Sequence, residues 1–485
     1  MLKNKERLVW ISVVVFILCI SFFTIYQPSK AKAQELDDDY LNYSRMLNGV
    51  YNTLREYYVD PDKATARKLM MGAIKGMLEA VEDPFTMYMD EKLTEELTTE
   101  MAGEFGGLGI QLGMNDDGWL MVMAPIEGTP AERAGIRSGD IIAEIEGKST
   151  KGMAIEQAVR ILRGKEGTKI TISLAREGES EPIKVTLIRA KIIIKSVKTE
   201  FITNEGIGYV RLINFGDKTT QELKDSLLSL KSLGMKKLIL DLRNNPGGRL
   251  DTAQNVADFF LSSGKIVYTR GRDASQSKDA FATAANDICV DTPMIVLVNG
   301  YSASASEIVA GALRDNKRAI LVGQKTYGKF SVQQVLPIDP KNKVTCKITV
   351  AKYFTPGGYS LHKEGLPPNI VVEDEEFSKD EIVAVRHIRE GKFIKDYVHT
   401  NPVPDKDAIE LPKLMQKLTA SCIKIRPELV ERLIYVERGR ANYKKVIDLT
   451  YDRQLKEAVS LVKKPDTFDF KKYPLPPLTS TNKDK

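Results

Sequence analysis

The residues best suited to chemistry lie in the segment NGYSASASEIVAG, residues 299–311, which follows the apolar run PMIVLV. Three serines, Ser302, Ser304 and Ser306, occupy every second position before a stretch with helical character. A serine nucleophile needs a base, and any chain order is permitted. The three histidines of the chain all lie downstream, and they are His362, His387 and His399. The last two fall in a region with a helical pattern, where we expect exposed or capping roles.

The base is a histidine or a lysine. His362, in GGYSLHKEG, has no acidic partner marked by the sequence and is the weaker choice. A lysine must be neutral when it acts, so its pKa must fall from about 10.4 to about 7.5, at a cost of about 4 kcal/mol. Burial away from acids lowers a lysine pKa. Lys325 and Lys329 suit this role because no acid lies between Gly323 and Ile338. The alternative is two solvated loop lysines.

The serine segment also has an interpretation without catalysis. Ser304 and Glu307 match the capping box that starts a helix. The same helix start offers free N–H groups and the positive end of a dipole, which suit an oxyanion. Gly247 and Gly248, in DLRNNPGGRLD, allow backbone conformations that are closed to other residues. They form an oxyanion loop only if they face the serine, and otherwise a tight turn.

Alternating strands and helices between residues 191 and 375 position these segments. The apolar strands are GYVRLINF, KLILDLR, PMIVLV and RAILVG. Near-continuous apolar strands that alternate with helices predict an α/β domain with a largely parallel sheet. Sites in such sheets lie beyond the carboxyl ends of the strands. The turns after Arg243 and after Val298 both lie there.

Other parts of the chain have different patterns. Residues 35–103 have apolar residues at helical spacing, and residues 104–190 contain short strands separated by glycines. Residues 376–465 appear mainly helical in pattern, and residues 466–485 have the proline and charge of a flexible tail.

Residues 1–34 have the features of an export signal. Basic residues precede an uncharged apolar run, residues 8–26, and an Ala31-x-Ala33 pattern follows. The run is close to the roughly 20 residues that cross a bilayer, so a retained membrane anchor is the alternative to a cleaved signal. In both cases we expect the rest of the chain to be exported, to the periplasm or the outer face of the cytoplasmic membrane.

The charge balance argues against a nucleic-acid partner. The net charge is +6, but residues 1–34 hold five cations and one acid, so most of the excess lies in the export segment. A nucleic-acid partner requires a basic face on the folded domain.

The cysteines do not indicate a metal site. Cys19 lies in the apolar run, and Cys289, Cys346 and Cys422 are far apart without a Cys/His cluster. A disulfide among the last three cannot be deduced from sequence, and we expect no metal or cofactor to be required.

Six ordered motifs resemble one family, the carboxyl-terminal processing or tail-specific proteases. They are GGLGIQL, SGDIIAEIEG, LILDLRNNPGG, NGYSASASEIVAGAL, GQKTYGKFSVQ and YFTPGGYSLHKEGLPPN. The resemblance implies a PDZ domain at residues 104–190 and a crotonase-like α/β protease core at residues 191–375. It implies Ser304 as nucleophile, Lys329 as general base and Gln333 as the residue that orients the lysine. Backbone N–H groups of Ala305 and of Gly247 or Gly248 would line the oxyanion hole.

The PDZ resemblance implies a peptide site as well. PDZ domains add an extended peptide end to a sheet edge and hold its carboxylate in a glycine loop. The residues that correspond to this loop are Gly106, Gly107, Leu108 and Gly109. Arg163 resembles the residue that relays peptide binding to the active site in related enzymes.

One position departs from the family pattern. Phe330 stands where the family has a glycine after the lysine, and it could narrow the path to Lys329 or bury that lysine better. Along a regular strand Lys329 and Gln333 would be about 13 Å apart. They meet only through long side chains or a bend just after the lysine.

The leading hypothesis is therefore an exported serine endopeptidase that recognises substrate C-termini. A PDZ scaffold with a degenerate core is the alternative, and it predicts peptide binding without turnover. A crotonase-type acyl-CoA enzyme fits the core alone and explains neither the export segment nor the PDZ module. The resemblance also implies a homodimer supported by the terminal helices.

Overall fold

The computed structural model describes residues 38–474, apart from 116, 127, 177, 340–343, 374–376, 405–406 and 442–446. The chain divides into two compact units, the first ending at Tyr88 and the second beginning at Met89. The export segment expected at residues 1–34 lies outside the described residues. Within the described part of the chain, no helix is both long enough and apolar enough to cross a bilayer.

The described part of the first unit is helical, as its sequence predicts. Its helices are α1 (Asp38–Tyr57) and α2 (Ala66–Glu79). Large apolar side chains on α1 are exposed, including Tyr43 at 67%, Met46 at 64% and Val50 at 60%. No residue of α2 is buried. The described part of the first unit therefore does not bury the apolar side chains of these helices by itself.

The second unit begins with a short strand, a helix and a small antiparallel domain. These elements are β1 (Met87–Met89), which spans the unit boundary, α3 (Glu91–Ala102), β2 (Glu104–Gly107), β3 (Ile110–Met114), β4 (Leu120–Pro125), α4 (Pro130–Arg133), β5 (Ile141–Ile145), β6 (Lys148–Ser149), α5 (Ile155–Leu162), β7 (Lys169–Ala175), β8 (Ile183–Ile188) and β9 (Ala190–Ile193). One sheet has the order β3-β4-β5-β7-β8, with β6 on β5, and β2 pairs with β9. Alternate residues of β7 are buried, because successive side chains of a strand point to opposite faces. Strand β3 lies at the edge of this sheet.

The following elements form the predicted α/β layer and a second sheet. They are β10 (Val197–Ile202), β11 (Ile207–Leu212), α6 (Thr219–Ser232), β12 (Lys237–Asp241), α7 (Leu250–Asp258), β13 (Lys265–Gly271), β14 (Asp279–Phe281), β15 (Met294–Val298), α8 (Ala305–Asp315), β16 (Ile320–Gly323), β17 (Ser331–Asp339), β18 (Val344–Phe354) and β19 (Ile370–Val371). The main sheet has the order β10-β11-β12-β15-β16-β19, and all its pairs are parallel except β10 with β11. Every residue of β15 is buried, as expected for a strand covered on both faces.

The main sheet brings the glycine turn and the serine segment together. Strands β12 and β15 are parallel neighbours, so their carboxyl ends lie side by side. Gly247 follows the first strand, and Ser304 follows the second. The candidate chemistry therefore lies at the sheet edge that the sequence pattern indicates.

The second sheet is antiparallel and carries the lysine segment. Strand β18 pairs with both β13 and β17, and β13 also pairs with β14. Lys329 lies two residues before β17 begins. The pairing of β17 with β18 has an irregularity between Val332 and Gln333, which bends the strand there.

The C-terminal region contains two differently packed groups of helices. Its helices are α9 (Lys379–Glu390), α10 (Phe393–Thr400), α11 (Asp407–Ala420), α12 (Pro427–Ala441) and α13 (Arg453–Val462). The first four share a separate apolar cluster that includes Ile388, Leu418 and Val430. Helix α13 instead packs Leu455 and Leu461 against the main sheet. The last helix thus belongs to the core that supports the site.

The region after α13 differs from the flexible tail expected from residue 466. Phe468, Phe470 and Tyr473 pack against the apolar cluster that holds α13, and Thr467 is fully buried. Aromatic side chains contribute large apolar areas when they are buried, which explains the ordered contact. Residues 475–485 lie outside the described part of the chain.

Three cysteines of the described chain, Cys289, Cys346 and Cys422, are free. Burial raises the pKa of the Cys289 and Cys346 thiols, so the thiolate form is disfavoured at both. These two side chains therefore act as small apolar residues.

Candidate active site

The three serines of the segment have different environments. Ser302 and Ser306 are fully buried. The Ser302 hydroxyl donates to the Leu242 carbonyl at 2.8 Å, and the Ser306 hydroxyl donates to the Asn245 carbonyl at 2.9 Å. Ser304 is only partly buried. The flanking serines thus brace the turn against the glycine loop, and the middle serine remains accessible.

Ser304 has an unusual backbone conformation at the start of α8. Its φ is +55° and its ψ is −113°, a combination that costs a side-chain-bearing residue on the order of 1–3 kcal/mol. Glu307 returns to this turn, because its Oε2 accepts the Ser304 N–H at 2.8 Å. The glutamate side of the expected capping box is therefore formed. Such strain persists only where the surroundings over-determine the conformation.

The glycine loop faces Ser304 directly. A Cβ atom at Gly247 would lie 2.8 Å from the Ser304 Cβ and 2.9 Å from the Ala305 nitrogen, and the φ of Gly247 is +102°. The Gly247 N–H donates to the Asn245 Oδ1 at 2.9 Å. Within the described residues, the N–H groups of Gly248 and Ala305 donate no hydrogen bond. Two backbone donors are thus available beside the serine.

Arg243 anchors the base of this loop. Its guanidinium contacts the Asp241 Oδ2 at 2.6 Å and the Asp452 Oδ2 at 2.7 Å. Burial disfavours the charged guanidinium, but the two carboxylates outweigh that effect and raise the pKa of Arg243. Asp452 precedes α13, so the C-terminal core helix helps to hold the loop.

The lysine segment is tied to the serine turn through Glu307. The Lys329 N–H donates to the Glu307 Oε2 at 2.8 Å, which is the oxygen that also accepts the Ser304 N–H. The other oxygen accepts the Gly328 N–H at 2.7 Å and the Thr326 hydroxyl at 2.5 Å. Lys329 is partly buried, whereas Lys325 is exposed. One carboxylate oxygen therefore joins the backbones of the predicted nucleophile and base.

The electrostatic state of Glu307 follows from two opposing effects. Burial raises its pKa, and the four donated hydrogen bonds oppose this rise. Three of the four donors are backbone N–H groups, which cannot become acceptors. The effect of burial is the larger of the two, so the pKa of Glu307 stays above its ordinary value.

The expected peptide-binding residues also lie together. Gly109 has a φ of +76°, and Leu108 is buried beside it. The Gly106 carbonyl accepts the Gly164 N–H at 3.1 Å, and the Arg163 guanidinium lies 4.3 Å from the centre of the Phe105 ring. Gly107 ends β2, and the edge strand β3 follows the loop. The glycine loop thus lies between β2, whose Phe105 contacts Arg163, and the edge strand β3.

Comparison with known proteins identifies the family. Residues 206–372 match peptidase family S41, residues 121–176 match the PDZ domain, and residues 24–93 match the activating protease CtpB N-terminal domain. The carboxy-terminal-processing protease of Bartonella bacilliformis is 41% identical over 329 residues, which cover 67% of this chain and 74% of that protein. The chain belongs to the S41 carboxy-terminal processing proteases.

Two further proteins are similar to this chain over a comparable share of its length. The carboxy-terminal processing protease CtpA of Bacillus subtilis is 36% identical to this S41 peptidase over 69% of the chain and 70% of its own length. The solved photosystem II D1 C-terminal processing protease is 29% identical, covers 68% of this chain and 92% of its own, and has a TM-score of 0.41. The predicted fold class, the serine-peptidase class and the PDZ domain are confirmed by the family matches and the relatives' names.

The position that departs from the family pattern lies in the core of the protein. The Phe330 side chain is fully buried in the main apolar cluster. Its N–H donates to the His362 Nδ1 at 3.3 Å, so the weaker candidate base lies next to the lysine segment. His387 and His399 are exposed on the C-terminal helices, as expected.

Gln333 lies on β17 beyond the irregularity that bends this strand. Its amide nitrogen donates to the Ser331 hydroxyl at 2.8 Å and to the Thr349 hydroxyl at 3.1 Å. The bend follows Val332 rather than the lysine itself. These contacts fix one end of the Gln333 amide.

Sequence reasoning missed the part that Glu307 plays. The capping-box spacing marked Glu307 as a partner of Ser304 only. Its contacts with Thr326, Gly328 and Lys329 join segments about 20 residues apart in the chain, for which no local spacing rule exists.

Proposed function

We propose that this chain is a serine endopeptidase that cleaves peptide bonds through an acyl-enzyme on Ser304, with Lys329 as general base. The observation that carries this proposal is the single Glu307 oxygen that accepts the N–H groups of both residues at 2.8 Å.

The proposed reaction follows from these positions. The Ser304 Oγ attacks the scissile carbonyl carbon while the Lys329 Nζ takes the hydroxyl proton. The tetrahedral intermediate collapses, the C–N bond breaks, and the Lys329 ammonium protonates the leaving amine. Lys329 then removes a proton from water as the water oxygen attacks the ester carbon. The acyl C–O bond breaks, and the Lys329 ammonium returns the proton to the Ser304 Oγ.

The developing oxyanion needs two backbone donors. We assign them to the N–H groups of Ala305 and Gly248, because neither donates within the described chain. Gly247 lines the site, but its N–H already serves Asn245. The role of Gly247 is thus to leave room beside the Ser304 Cβ.

Gln333 is proposed to orient Lys329 from β17, the strand that follows the lysine in the chain. Ser331 and Thr349 hold its amide nitrogen, which leaves the amide oxygen as the acceptor for an ammonium or amine hydrogen. This orientation would keep the lysine directed at the serine after the proton transfer.

Substrate recognition is proposed at the PDZ domain. Within the described residues, the N–H groups of Leu108 and Gly109 donate no hydrogen bond, so they are available for a terminal carboxylate. Strand β3 offers an edge to an extended peptide. Arg163 lies next to this loop, and we propose that it couples peptide binding to activation of the protease core.

Cleavage of a peptide with a free, apolar C-terminus tests the proposal. Ser304→Ala and Lys329→Ala are expected to abolish turnover, because each removes a reacting group. Lys325→Ala is the matched control, since this lysine lies in the same segment but is exposed, and it should retain activity. Full activity in either of the first two variants would refute the mechanism. Peptide binding without turnover in the unmodified protein would support a PDZ scaffold with a degenerate core instead.

Export and dimerisation complete the proposal. The apolar run at residues 8–26 would direct the chain across the membrane, and N-terminal sequencing of the exported protein distinguishes a cleaved signal from a retained anchor. The exposed Tyr43, Met46 and Val50 on α1 support a homodimer, because a second copy could cover them. Sedimentation of wild type and Met46→Glu tests this, and a monomeric wild type would refute it.

A further inference from the structure

The Tyr353 hydroxyl lies between the backbones of the proposed nucleophile and base. It is 2.7 Å from the Lys329 carbonyl oxygen and 3.0 Å from the Ser304 carbonyl oxygen. Both distances are within hydrogen-bonding range for an O–H donor. Tyr353 comes from β18, so a third element of the fold reaches the pair.

Tyr353 and Glu307 act on opposite polar groups of the same two residues. Glu307 accepts the N–H groups of Ser304 and Lys329. The single Tyr353 O–H is shared between their carbonyl oxygens, with the shorter contact to Lys329. Ser304 needs such restraint because its φ of +55° is strained. A hydroxyl that contacts both carbonyls fixes the separation of the two backbones as well as the conformation of each.

Phe330 holds the tyrosine ring in place. The two rings are stacked with their centres 4.6 Å apart and their planes 25° apart. The Tyr353 N–H donates to the Phe330 carbonyl at 3.2 Å, and both side chains are almost completely buried. Phe330 occupies the position where the family pattern has glycine, and this ring fixes the direction of the hydroxyl.

The hydroxyl remains a donor wherever the enzyme works. Burial, with a further contribution from the Glu307 charge, raises the pKa of Tyr353 well above its ordinary value. Its bridging role is therefore independent of pH across the neutral range.

We propose that Tyr353 is a positioning residue for the Ser304–Lys329 pair and that Phe330 sets its orientation. Tyr353 touches no reacting atom, and it acts by holding the two backbones at the separation that proton transfer requires. This inference depends on the proposed serine–lysine mechanism.

Tyr353→Phe isolates the hydroxyl, because the ring and its stack with Phe330 are kept. We expect kcat for the free-C-terminus peptide to fall by about 10- to 100-fold, since displacements of up to about 1 Å in a catalytic pair have effects of this size. KM should stay within about twofold, because the PDZ domain and the substrate contacts are unchanged.

The matched control is Tyr397→Phe. The Tyr397 hydroxyl also makes a partly buried hydrogen bond, to the Asp407 Oδ1 at 2.7 Å, but it lies among the C-terminal helices. The Tyr397→Phe variant should lose stability without a change in kcat. Phe330→Leu fills most of the same space without the stack and should lower kcat less than Tyr353→Phe does.

A double variant, Phe330→Leu with Tyr353→Phe, tests the link between the two side chains. If Phe330 acts by orienting the hydroxyl, the double variant should lose no more kcat than Tyr353→Phe alone. The inference is overturned if Tyr353→Phe has wild-type kcat while Ser304→Ala is inactive. If Ser304→Ala is fully active, the mechanism itself fails, which is a distinguishable result.

Discussion

Replacement of Glu307 by glutamine tests whether one carboxylate organises the site. The side chain keeps its shape, but an NH₂ group takes the place of one accepting oxygen. If this NH₂ faces Ser304 and Lys329, two N–H donors lose their acceptor. If it faces the other side, the Thr326 hydroxyl can turn, but the Gly328 N–H still loses its partner. At least one buried N–H is therefore left unsatisfied in either orientation.

The hydrogen bonds lost in Glu307→Gln determine the expected changes in stability and activity. One unsatisfied buried N–H costs about 1–3 kcal/mol of unfolding free energy. Glutamine also removes the cost of burying a charge, so we expect the loss of stability to remain within that range. Activity should fall more steeply, on the order of 100-fold in kcat, because Ser304 and Lys329 no longer share an acceptor.

The pH dependence of stability provides a second measurement. Burial raises the pKa of Glu307 above its ordinary 4.5, so the folded state binds this proton more tightly than the unfolded state. The resulting stabilisation is complete below the ordinary pKa and is lost as the pH rises through the raised pKa. The stability advantage of wild type over Glu307→Gln should therefore be largest at acid pH and decrease on the way to neutrality.

Urea unfolding between pH 4 and 8, together with peptide cleavage, measures both effects. Glu381→Gln is the matched control, because Glu381 accepts the Ser378 N–H at 2.9 Å in the capping box of α9, which belongs to the separate C-terminal cluster. It should leave kcat unchanged. A Glu307→Gln enzyme with wild-type kcat at an equal folded fraction would refute the organising role of this carboxylate.

Three further predictions concern separate parts of the molecule. Gly247→Ala should lower kcat strongly in peptide cleavage, because its Cβ would lie 2.7 Å from the Ala303 carbonyl oxygen. Gly128→Ala is the control, since Gly128 has a φ of +74° but open space around its Cβ position, and it should affect only stability. Arg163→Ala should reduce the peptide-stimulated part of the cleavage rate, and wild-type stimulation would contradict the proposed coupling. Burial and Asp407 raise the pKa of Tyr397 to about 12, so wild type should lose stability more steeply than Tyr397→Phe between pH 10 and 12, as followed by chemical denaturation.

The architecture of the core was accessible from the sequence because its causes are local. The apolar runs of β12 and β15, the helical segments between them and the glycine-rich turns each follow from periodicity within a short window. Packing at a distance was less accessible. Charge and proline suggested a flexible end from residue 466, but Phe468, Phe470 and Tyr473 are apolar enough to bind the core.

The residues of the site also differ in how far a local sequence pattern can identify them. Ser304 and Tyr353 are the two examples. Repeated serines marked a helix start, because the order of side chains along the chain is enough to indicate one, and the resemblance to the protease family selected Ser304 among the three. Nothing near Tyr353 in the sequence marks its hydroxyl, since its partners are backbone carbonyls on two other segments. Phe330 shows the difficulty most clearly, because its position in the motif allowed two interpretations, a narrower path to the lysine or a better-buried lysine. Neither interpretation includes the stack with Tyr353, which is the observation behind the positioning role that we propose.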